Sequence, residues 1–462
     1  MINRRSFVKR GAAASVFFAA PAIVPRHVLG GEGYTPPSEK ITLAGIGIGG
    51  VGHGQIKGLS QAGFEVVALC DIDDLHAKKT YDLFPQARRY HDYRKLLADE
   101  GDKVDAVYCG TPDHTHAFVT LAALRAKKHV CCVKPLTRTV EECYRVVEEA
   151  KRAGTATQVT ASPHTDERSC RIREIIASGI LGDIVEAHAW TRRPVWPQGM
   201  PDYPDFSDPV PDTLKWELWL GPAEHRPYAK EWPKGSAIPK LSLEGWSGAA
   251  VYHPFNFRGW FEFGAGALGD MGCHWANTIY KALELDHPTM ITAHSTRCSH
   301  AAFPLASIVT FDYPKRANFP ELRFVWYDGG MKPPAPRELG GEPMPIEGVM
   351  YVGTKAKLLV AMEGKGGTRI LNPELDAKAQ TIPATLPRRG RIWDEWMTAC
   401  KGGEKAGCNF EWAKLITDFV LLGNLAVQTR GAVAFDPVEM RITNNPDADA
   451  RLRAKYYNGF VL

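Results

Sequence analysis

The chain has 462 residues, 44% of them hydrophobic and 23% charged, which is enough for two or three domains with a large core. Its net charge of +4 stems from the first 30 residues, which hold five Lys and Arg side chains and no acid. The remainder is close to neutral, so composition excludes the broad basic surface of a nucleic-acid-binding protein.

The first segment has the features of an export signal. Arg4 and Arg5 form a twin-arginine pair, and a moderately apolar stretch follows over 11–24. That stretch is too short and too rich in alanine for a membrane span of about 20 residues. We therefore predict a signal segment over 1–33, passage through the twin-arginine export machinery, a periplasmic location and no stable membrane span.

Residues 41–71 follow the pattern strand, glycine-rich turn, helix, strand and acid. A G-x-G-x-x-G motif comes directly after the first apolar run, and an aspartate ends the next one. In this pattern the glycines permit a tight turn, the helix N-terminus faces a pyrophosphate, and the acid accepts hydrogen bonds from a ribose diol. Because a carboxylate repels a 2′-phosphate, the pattern favours NAD over NADP. The predicted cofactor-binding residues here are Gly47, Gly49, Gly50, Gly52 and Asp71.

Short apolar strands and helices alternate from 41 to about 160. Such alternation predicts an α/β fold with a parallel, doubly wound sheet of the Rossmann type, here over 38–160. The predicted strands are 41–46, 66–70, 104–109, 129–133 and 156–160, and the predicted helices after the first are 73–83, 93–97, 114–126 and 139–153.

Two loops follow strands of this sheet: the first is 111–116 and the second is 134–135. Both should border the nucleotide, because ligands bind at the carboxyl ends of strands. A lysine in the second loop is also a candidate general acid or base and a group that orients a substrate hydroxyl. The His-x-His pattern in the first loop lacks a third ligand at suitable spacing, so no metal is predicted. The predicted cofactor contacts from these loops are Thr111, Pro112, His114, His116 and Lys134.

Residues 194–265 are rich in proline and tryptophan, which is typical of an ordered irregular loop and not of a flexible linker. The segment 252–260 mixes aromatic rings with polar side chains. Sugars offer C–H faces to aromatic rings and hydroxyls to Arg, His and Asn, so this mixture favours a carbohydrate pocket. The candidate substrate residues are His253, Arg258 and Trp260.

A helix with an apolar stripe is predicted within 264–283. Asp270 and His274 are four residues apart, so in an α-helix they project together. A carboxylate beside a histidine fixes the tautomer of the ring and raises its basicity. Two interpretations stay open: a catalytic pair in which His274 moves a proton, or a helix cap beside a core histidine.

The rest of the chain predicts a second domain over 161–430 and a C-terminal extension over 431–462. Its strand-like segments fit an antiparallel sheet, and two helices follow them. The strands are 184–191, 290–295, 306–313, 322–327, 349–353 and 357–362, and the helices are 394–401 and 410–428. The ten cysteines contain no C-x-x-C pair, so core packing is predicted for them and not a disulfide framework, with pairing among Cys298, Cys400 and Cys408 left open.

Together, these motifs resemble the glucose-fructose oxidoreductase / inositol dehydrogenase (Gfo/Idh/MocA) family over about residues 40–430. The glycine motif, Lys134-Pro135 and the Asp270–His274 spacing carry the resemblance. The segments similar to the exported branch of the family are the twin-arginine start, TPDHTHA at 111–117, RPVWPQG at 193–199, YHPFNFRGW at 252–260 and GALGDMGCH at 266–274.

The resemblance implies a Rossmann domain followed by an α/β domain with a large open, mainly antiparallel sheet, whose face commonly forms homodimers or homotetramers. It also implies tightly held NAD(P), a polyol or sugar substrate, and catalytic roles for Lys134, Asp270 and His274. The family motif is Glu-Lys-Pro, whereas this chain has Val133 before Lys134. The missing carboxylate normally lies near the cofactor, so its loss bears on cofactor affinity and geometry.

We therefore predict a periplasmic NAD(P)-dependent oxidoreductase acting on a sugar, glycoside or cyclitol. In this hypothesis His274 or Lys134 takes the hydroxyl proton, and Asp270 orients His274. A second hypothesis is redox-neutral glycoside cleavage or epimerisation through a 3-keto intermediate, which needs the same hydride and proton groups. A third is a catalytically weakened sugar-binding relative, which only Val133 supports.

Overall fold

The computed structural model describes residues 40–233, 250–362 and 367–462. The predicted export signal therefore lies outside the described residues, as does the part of the aromatic loop over 234–249. Within the described ranges, no helix combines the length and the apolar character needed to cross a membrane.

The N-terminal part is a doubly wound α/β domain. Its elements are β1 (Thr42–Ile46), α1 (Val51–Gln61), β2 (Glu65–Cys70), α2 (Asp74–Leu83), β3 (Arg88–Tyr90), α3 (Tyr93–Glu100), β4 (Ala106–Cys109), α4 (His116–Arg125), β5 (His129–Cys132), α5 (Val140–Ala153) and β6 (Thr157–Val159). All strand pairs are parallel, in the order β3-β2-β1-β4-β5-β6. Every residue of β4 is buried, as expected of a sheet that helices cover on both faces. The predicted Rossmann sheet is confirmed.

The second domain is built on a seven-stranded sheet. Its elements are α6 (Glu167–Ala177), β7 (Ile184–Trp190), α7 (Trp216–Leu220), α8 (Cys273–Leu283), β8 (Met290–Ser295), β9 (Ser307–Tyr313), β10 (Leu322–Tyr327), β11 (Gly348–Gly353), β12 (Lys357–Ala361), β13 (Thr368–Ile370), α9 (Pro373–Ala379), α10 (Ile392–Cys400), α11 (Phe410–Thr429), β14 (Phe435–Asp436), β15 (Arg441–Ile442) and α12 (Pro446–Ala450). The strand order is β13-β12-β11-β7-β10-β9-β8, and only the β7–β10 pair is parallel. The predicted mainly antiparallel sheet is confirmed.

Helix α11 links the cores of the two domains. It packs against α5 of the first domain and against β8 and β9 of the second. Its Phe419 stacks on Phe324 with 4.9 Å between ring centroids, and the ring of Phe311 lies 4.2 Å away. This shared core makes residues 41–462 one unit, in which loops of the second domain meet the carboxyl edge of the first sheet.

The structure differs from the sequence prediction in three places. Strand β7 is largely buried and not half-exposed, because it is the central strand of the second sheet. Seven short elements were not predicted, since so few residues carry no readable periodicity: β3, α7, β13, α9, β14, β15 and α12. Finally, a π-helical turn, Leu268–Gly272, precedes α8 and replaces its predicted first turn. All ten cysteines are buried, which confirms the predicted core packing, and all are free, including the three whose pairing the sequence left open.

Candidate functional site

A cavity of about 360 Å³ opens at the carboxyl edge of the parallel sheet, where doubly wound sheets bind their ligands. Loops after β1, β2, β4 and β5 form one side of it, and the second domain forms the other. The predicted site residues that line this cavity are Gly47, Gly49, Gly50, Gly52, Asp71, Thr111, Pro112, Lys134, His253, Arg258, Asp270 and His274.

The glycine loop between β1 and α1 is shaped by close backbone contacts. Gly47 has a φ of +74°, and a Cβ there would lie 2.5 Å from backbone atoms of Gly110 and Thr111. A Cβ on Gly52 would overlap the carbonyl oxygen of Gly47. No side chain caps α1 at Gly50, so the helix N-terminus is left for an anion such as a pyrophosphate.

Asp71 closes this loop from the end of β2. Its Oδ2 accepts hydrogen bonds from the backbone N–H groups of Ile48 (2.8 Å) and Gly49 (3.0 Å), and its Oδ1 accepts one from that of Asp73 (3.1 Å). A carboxylate has about four lone-pair positions, so Asp71 keeps acceptor capacity for a ribose hydroxyl. The residues of this end of the cavity therefore fit a dinucleotide.

His253 borders the nucleotide end of the cavity, although the sequence assigned it to the substrate. Its Nε2 lies 3.0 Å from Oδ2 of Asp73, the residue whose N–H binds Asp71. The ring of His76 meets that of His253 edge-on at 5.5 Å, and burial lowers the pKa of His76. These contacts place a pair of imidazole rings beside the glycine loop.

His114 and His116 lie behind the cavity wall, contrary to the prediction that they contact the cofactor. Both are fully buried. The Nε2 of His114 lies 2.9 Å from the carbonyl oxygen of Trp219. The two ring nitrogens of His116 lie 2.8 Å and 2.7 Å from the carbonyl oxygens of Pro135 and Thr111. Because interior polar groups need partners, these side chains fix the loops and do not face a ligand.

A cluster with the atoms of a metal site also lies behind this wall. The ligand atoms of Cys109, His116 and Cys132 come within 4.8 Å of one another. Both nitrogens of His116 already face carbonyl oxygens, so its ring has no nitrogen left for a metal. The cluster is therefore interpreted as core packing.

Trp260 does not reach the cavity, so its predicted role in substrate binding is not supported. It is fully buried, and its Nε1 donates to the carbonyl oxygen of Val251 at 3.0 Å. Its ring stacks on that of Tyr203 with 5.3 Å between centroids. Trp260 belongs to the aromatic cluster that holds the irregular loop together.

Lys134 and Asp270 form an ion pair across the cavity, one residue from each domain. Lys134 Nζ donates to Oδ1 of Asp270 at 2.7 Å and to its backbone carbonyl oxygen at 2.5 Å. Their side chains are only 16% and 12% exposed, so the pair is screened less than a surface pair. An ammonium group has three donors, which leaves one N–H of Lys134 for a ligand oxygen.

Two arginines join this pair. Arg258 Nε lies 3.3 Å from Oδ1 of Asp270, and Arg193 Nε lies 3.9 Å from its Oδ2. Burial by itself would raise the pKa of Asp270, but Lys134 and the two arginines outweigh it and hold that pKa well below its usual range. Asp270 is therefore an ionised anchor for three cations.

His274 lies in the same wall, but Asp270 does not orient it. The Nδ1 of His274 accepts a hydrogen bond from the backbone N–H of Ser162 at 2.9 Å. Burial, reinforced by the charge of Lys134, lowers the pKa of His274 to about 3, so the ring is neutral at neutral pH. A neutral ring whose Nδ1 accepts carries its hydrogen on Nε2. His274 can therefore donate a hydrogen bond at Nε2.

The π-helical turn explains why the predicted Asp270–His274 pair does not form. Asp270 lies within this turn, whereas His274 lies in α8. Side chains four residues apart share a face only where the helix keeps its α geometry. The wider turn breaks that relation, as such turns frequently do at functional sites. The carboxylate of Asp270 instead binds Lys134.

Sequence reasoning missed four residues that contribute to the site. Arg193 and Asp113 line the cavity and belong to the motifs RPVWPQG and TPDHTHA, so a signal for them existed in the sequence. Ser162, which binds His274, and Phe460, which also lines the cavity, had no local signal, since only the fold brings them there. Burial raises the pKa of Asp113.

Comparison with known proteins agrees with this geometry. The sequence model of the GFO_IDH_MocA family, an oxidoreductase family with an NAD-binding Rossmann fold, matches residues 40–161. The inositol 2-dehydrogenase of Salmonella typhimurium is 35% identical over 147 residues, which are 31% of this chain and 43% of that enzyme. The inositol 2-dehydrogenase of Acidothermus cellulolyticus is 32% identical over 197 residues, which are 42% of this chain and 56% of that enzyme. The chain thus spans about half the length of the curated relatives that it matches.

Solved structures extend the similarity of fold to both domains. The WlbA dehydrogenase from Bordetella pertussis, in complex with NADH and UDP-GlcNAcA, has a TM-score of 0.59 at 14% identity and covers 86% of this chain and 99% of its own. An inositol dehydrogenase homolog from Azotobacter vinelandii, complexed with NADH and myo-inositol, has a TM-score of 0.52 at 18% identity. It covers 85% of this chain and 97% of its own.

Fold and cavity define a two-domain protein with a dinucleotide-binding domain and a charged pocket beside it. Its residues 40–161 match the NAD-binding Rossmann domain of the Gfo/Idh/MocA oxidoreductase family.

Proposed function

We propose that this protein is an NAD-dependent oxidoreductase that transfers hydride between a sugar, glycoside or cyclitol and a tightly bound nicotinamide. The observation that carries the proposal is the Lys134–Asp270 pair, which lies in the same cavity as the glycine loop and Asp71. A polyhydroxylated substrate is supported by the inositol 2-dehydrogenases among the relatives and by the myo-inositol and UDP-GlcNAcA of two structural neighbours.

The cofactor would be held by the first domain. The glycine loop and the N-terminus of α1 suit the pyrophosphate, and Asp71 suits the ribose diol. When bound, the nicotinamide supplies the hydride acceptor or donor. Val133 lines the cavity where the family has a glutamate, so the pocket beside Lys134 has one negative charge fewer.

Lys134 is the proposed proton-transfer residue. In the direction of reduction its ammonium group gives a proton to the substrate carbonyl oxygen while hydride reaches the adjacent carbon, and oxidation is the reverse transfer, with Asp270 holding the group in place. His274 cannot take this proton at Nε2 while Ser162 N–H occupies Nδ1, because Nε2 already bears a hydrogen. His274 instead positions a substrate oxygen by donating a hydrogen bond from Nε2.

Product analysis tests this function against redox-neutral cleavage. The purified protein, with its resident nucleotide and no added acceptor, is incubated with glycosides and cyclitols, and the products are identified by mass spectrometry. An oxidoreductase yields a keto product limited to about one equivalent of enzyme. Free monosaccharide that accumulates over many turnovers would contradict the oxidoreductase and support cleavage through a 3-keto intermediate.

The proposed location is the periplasm, reached by twin-arginine export. The support is the sequence alone, through Arg4, Arg5 and the apolar stretch behind them. Fractionation of cells with and without a working twin-arginine translocase tests it, with the double variant Arg4→Lys, Arg5→Lys as the export-deficient control. Protein that reaches the periplasm without the translocase would contradict this location mechanism.

The proposed assembly is a homodimer or homotetramer formed through the open face of the second sheet. Phe311 on β9 points to α11, so Ile308, three residues earlier on the same strand, lies on the opposite face of the sheet, where it is half-buried. Light scattering during size-exclusion chromatography measures the assembly, and a monomer at micromolar concentration would contradict it.

A further inference from the structure

The pocket around Asp270 contains more positive than negative side chains. Lys134, Arg193 and Arg258 are all within 4 Å of its carboxylate. Their side chains are only 16%, 18% and 17% exposed, so water screens these charges poorly. One carboxylate balances one of the three cations, and the surplus lies at the wall of the cavity.

Asp113 does not remove this surplus. It lines the same cavity and lies close enough to Lys134 and Arg258 to feel their charges. Burial nevertheless raises its pKa, which disfavours the charged form. Even with Asp113 ionised, three cations face two carboxylates.

Arg193 is the cation with unused binding capacity. Its Nε is buried without a hydrogen-bond partner, and the nearest carboxylate oxygen is 3.9 Å away. Its backbone is fixed, because its N–H donates to Oγ1 of Thr191 and its carbonyl accepts from the N–H of Gly329. A buried donor without a partner is costly, so Asp270 leaves this guanidinium group incompletely paired, and the group lines the cavity where a ligand can bind it.

We propose that the substrate is an anionic carbohydrate, a sugar or cyclitol bearing a carboxylate or a phosphate, and that Arg193 binds its anionic group. This inference rests on the proposed function and names the substrate class of the same cavity. A guanidinium group presents parallel N–H donors that match the two oxygens of a carboxylate or phosphate. Lys134 and His274 then remain for the hydroxyl at the reacting carbon.

Matched ligands test the proposal by binding, independently of turnover. Isothermal titration of the nucleotide-loaded protein compares glucose, glucuronate and glucose 6-phosphate, then galactose with galacturonate, then a methyl glucoside with its glucuronide. We expect at least one acid to bind about tenfold more tightly than its neutral partner, the gain typical of a charged hydrogen bond. The glucuronate and phosphate arms show which anion the pocket takes.

Variants assign the preference to Arg193. Arg193→Gln should remove most of the preference for the acid, whereas Arg193→Lys should keep part of it. The matched control is Arg192→Gln, whose side chain pairs with Glu347 at 3.8 Å and does not line the cavity. This control should leave the preference unchanged.

Two outcomes would overturn the proposal: no acid in the panel binds more tightly than its neutral partner, or Arg193→Gln keeps the full preference. Failure of the proposed function gives a different result. In that case sugars bind, but none of them, acidic or neutral, reduces the nicotinamide.

Discussion

His274 is a neutral hydrogen-bond donor in this site, and its replacement tests that role. In the proposed mechanism His274→Ala removes one hydrogen bond to the substrate, so we expect kcat/KM for nicotinamide reduction to fall about 10- to 100-fold. Bound nucleotide should be unaffected, since His274 contacts none of the glycine loop residues among its described hydrogen bonds.

The pH profile of the same variant distinguishes a donor from a base. Because the pKa of His274 is lowered to about 3, the ring does not titrate between pH 5 and pH 8. The profile of His274→Ala should therefore keep the wild-type shape over that range. An inflection near pH 6.5 that disappears with the histidine, or a variant with full activity, would contradict the assigned role.

Asp270 stabilises the folded state through its three cations, so its effect on stability depends on pH. Its pKa is lower in the folded than in the unfolded chain, where it is about 3.9. Its contribution is thus fully present above pH 3.9 and is lost as pH falls through the folded pKa. The free energy of unfolding of Asp270→Asn should lie below that of the wild type by a constant amount from pH 7 to about 5.

Urea unfolding of both proteins across this pH range measures the difference, which should shrink only below about pH 4. The conservative substitution keeps the volume and removes the charge. If the difference in free energy of unfolding shrank between pH 7 and pH 5, Asp270 would not be ionised over that range. A variant as stable as the wild type would also contradict the stabilising role of its carboxylate.

At the scale of elements, the start of α1 is the point where backbone packing and cofactor binding coincide. A Cβ on Gly52 would overlap the carbonyl oxygen of Gly47, so Gly52→Ala should displace the glycine loop. We expect a loss of nucleotide affinity of at least tenfold and a lower melting temperature.

Gly54 on the same helix is the matched control, because a Cβ there meets nothing within 4 Å. Gly54→Ala should keep the nucleotide and stabilise α1 by up to about 1 kcal/mol through helix propensity. Nucleotide content after purification and thermal unfolding measure both variants. Equal nucleotide content and equal melting temperatures in the two variants would contradict a role of the close contact between Gly52 and the carbonyl oxygen of Gly47.

The ends of two helices, α5 and α8, show what the local sequence could predict and what it could not. Helix α5 begins at a reciprocal capping box of Thr139 and Glu142 and ends before Gly154 in the left-handed conformation, so its bounds were predicted within one residue. The π-helical turn before α8 has no such local signal. The α-helical spacing of Asp270 and His274 therefore predicted a pair that the fold replaces by Lys134–Asp270.

At the scale of the whole molecule, the last residues of the chain return to the nucleotide site. Phe460 lines the cavity, lies edge-on to Phe118 at 5.1 Å and is covered by the guanidinium of Arg94 at 5.4 Å. Asn458 donates to the carbonyl oxygens of Gly221 and Ala223, at 2.8 Å and 3.1 Å. The C-terminal tail, residues 458–462, thus contacts both sides of the cavity.

Phe460→Ala should therefore speed nucleotide release several-fold, because it removes an aromatic wall of the cavity and loosens the tail. Stopped-flow release of a fluorescent NAD analogue measures the rate. The adjacent Val461→Ala is the control, since Val461 is 80% exposed. Equal release rates for both variants would contradict a role of the tail in holding the cofactor.

These long-range contacts mark the limit of the sequence prediction. The parallel sheet, the glycine loop and Asp71 follow from local patterns, and the structure confirms the fold that they predicted. Phe460 lines the cavity from the far end of the chain, and Ser162 holds His274 across 112 positions. Such contacts leave no periodicity or motif to read.

Single-turnover reduction of the nicotinamide tests the central claim most directly. NAD-loaded wild-type protein and Lys134→Met are mixed with neutral and acidic sugars and cyclitols, and NADH absorbance is followed. Exposed Lys151→Met on α5 is the control. We predict up to one equivalent of NADH with the wild type and the control, and a rate about 10²- to 10⁴-fold lower in Lys134→Met, the usual range for general acid–base catalysis. Equal rates in all three proteins, or no NADH with any carbohydrate, would contradict the account.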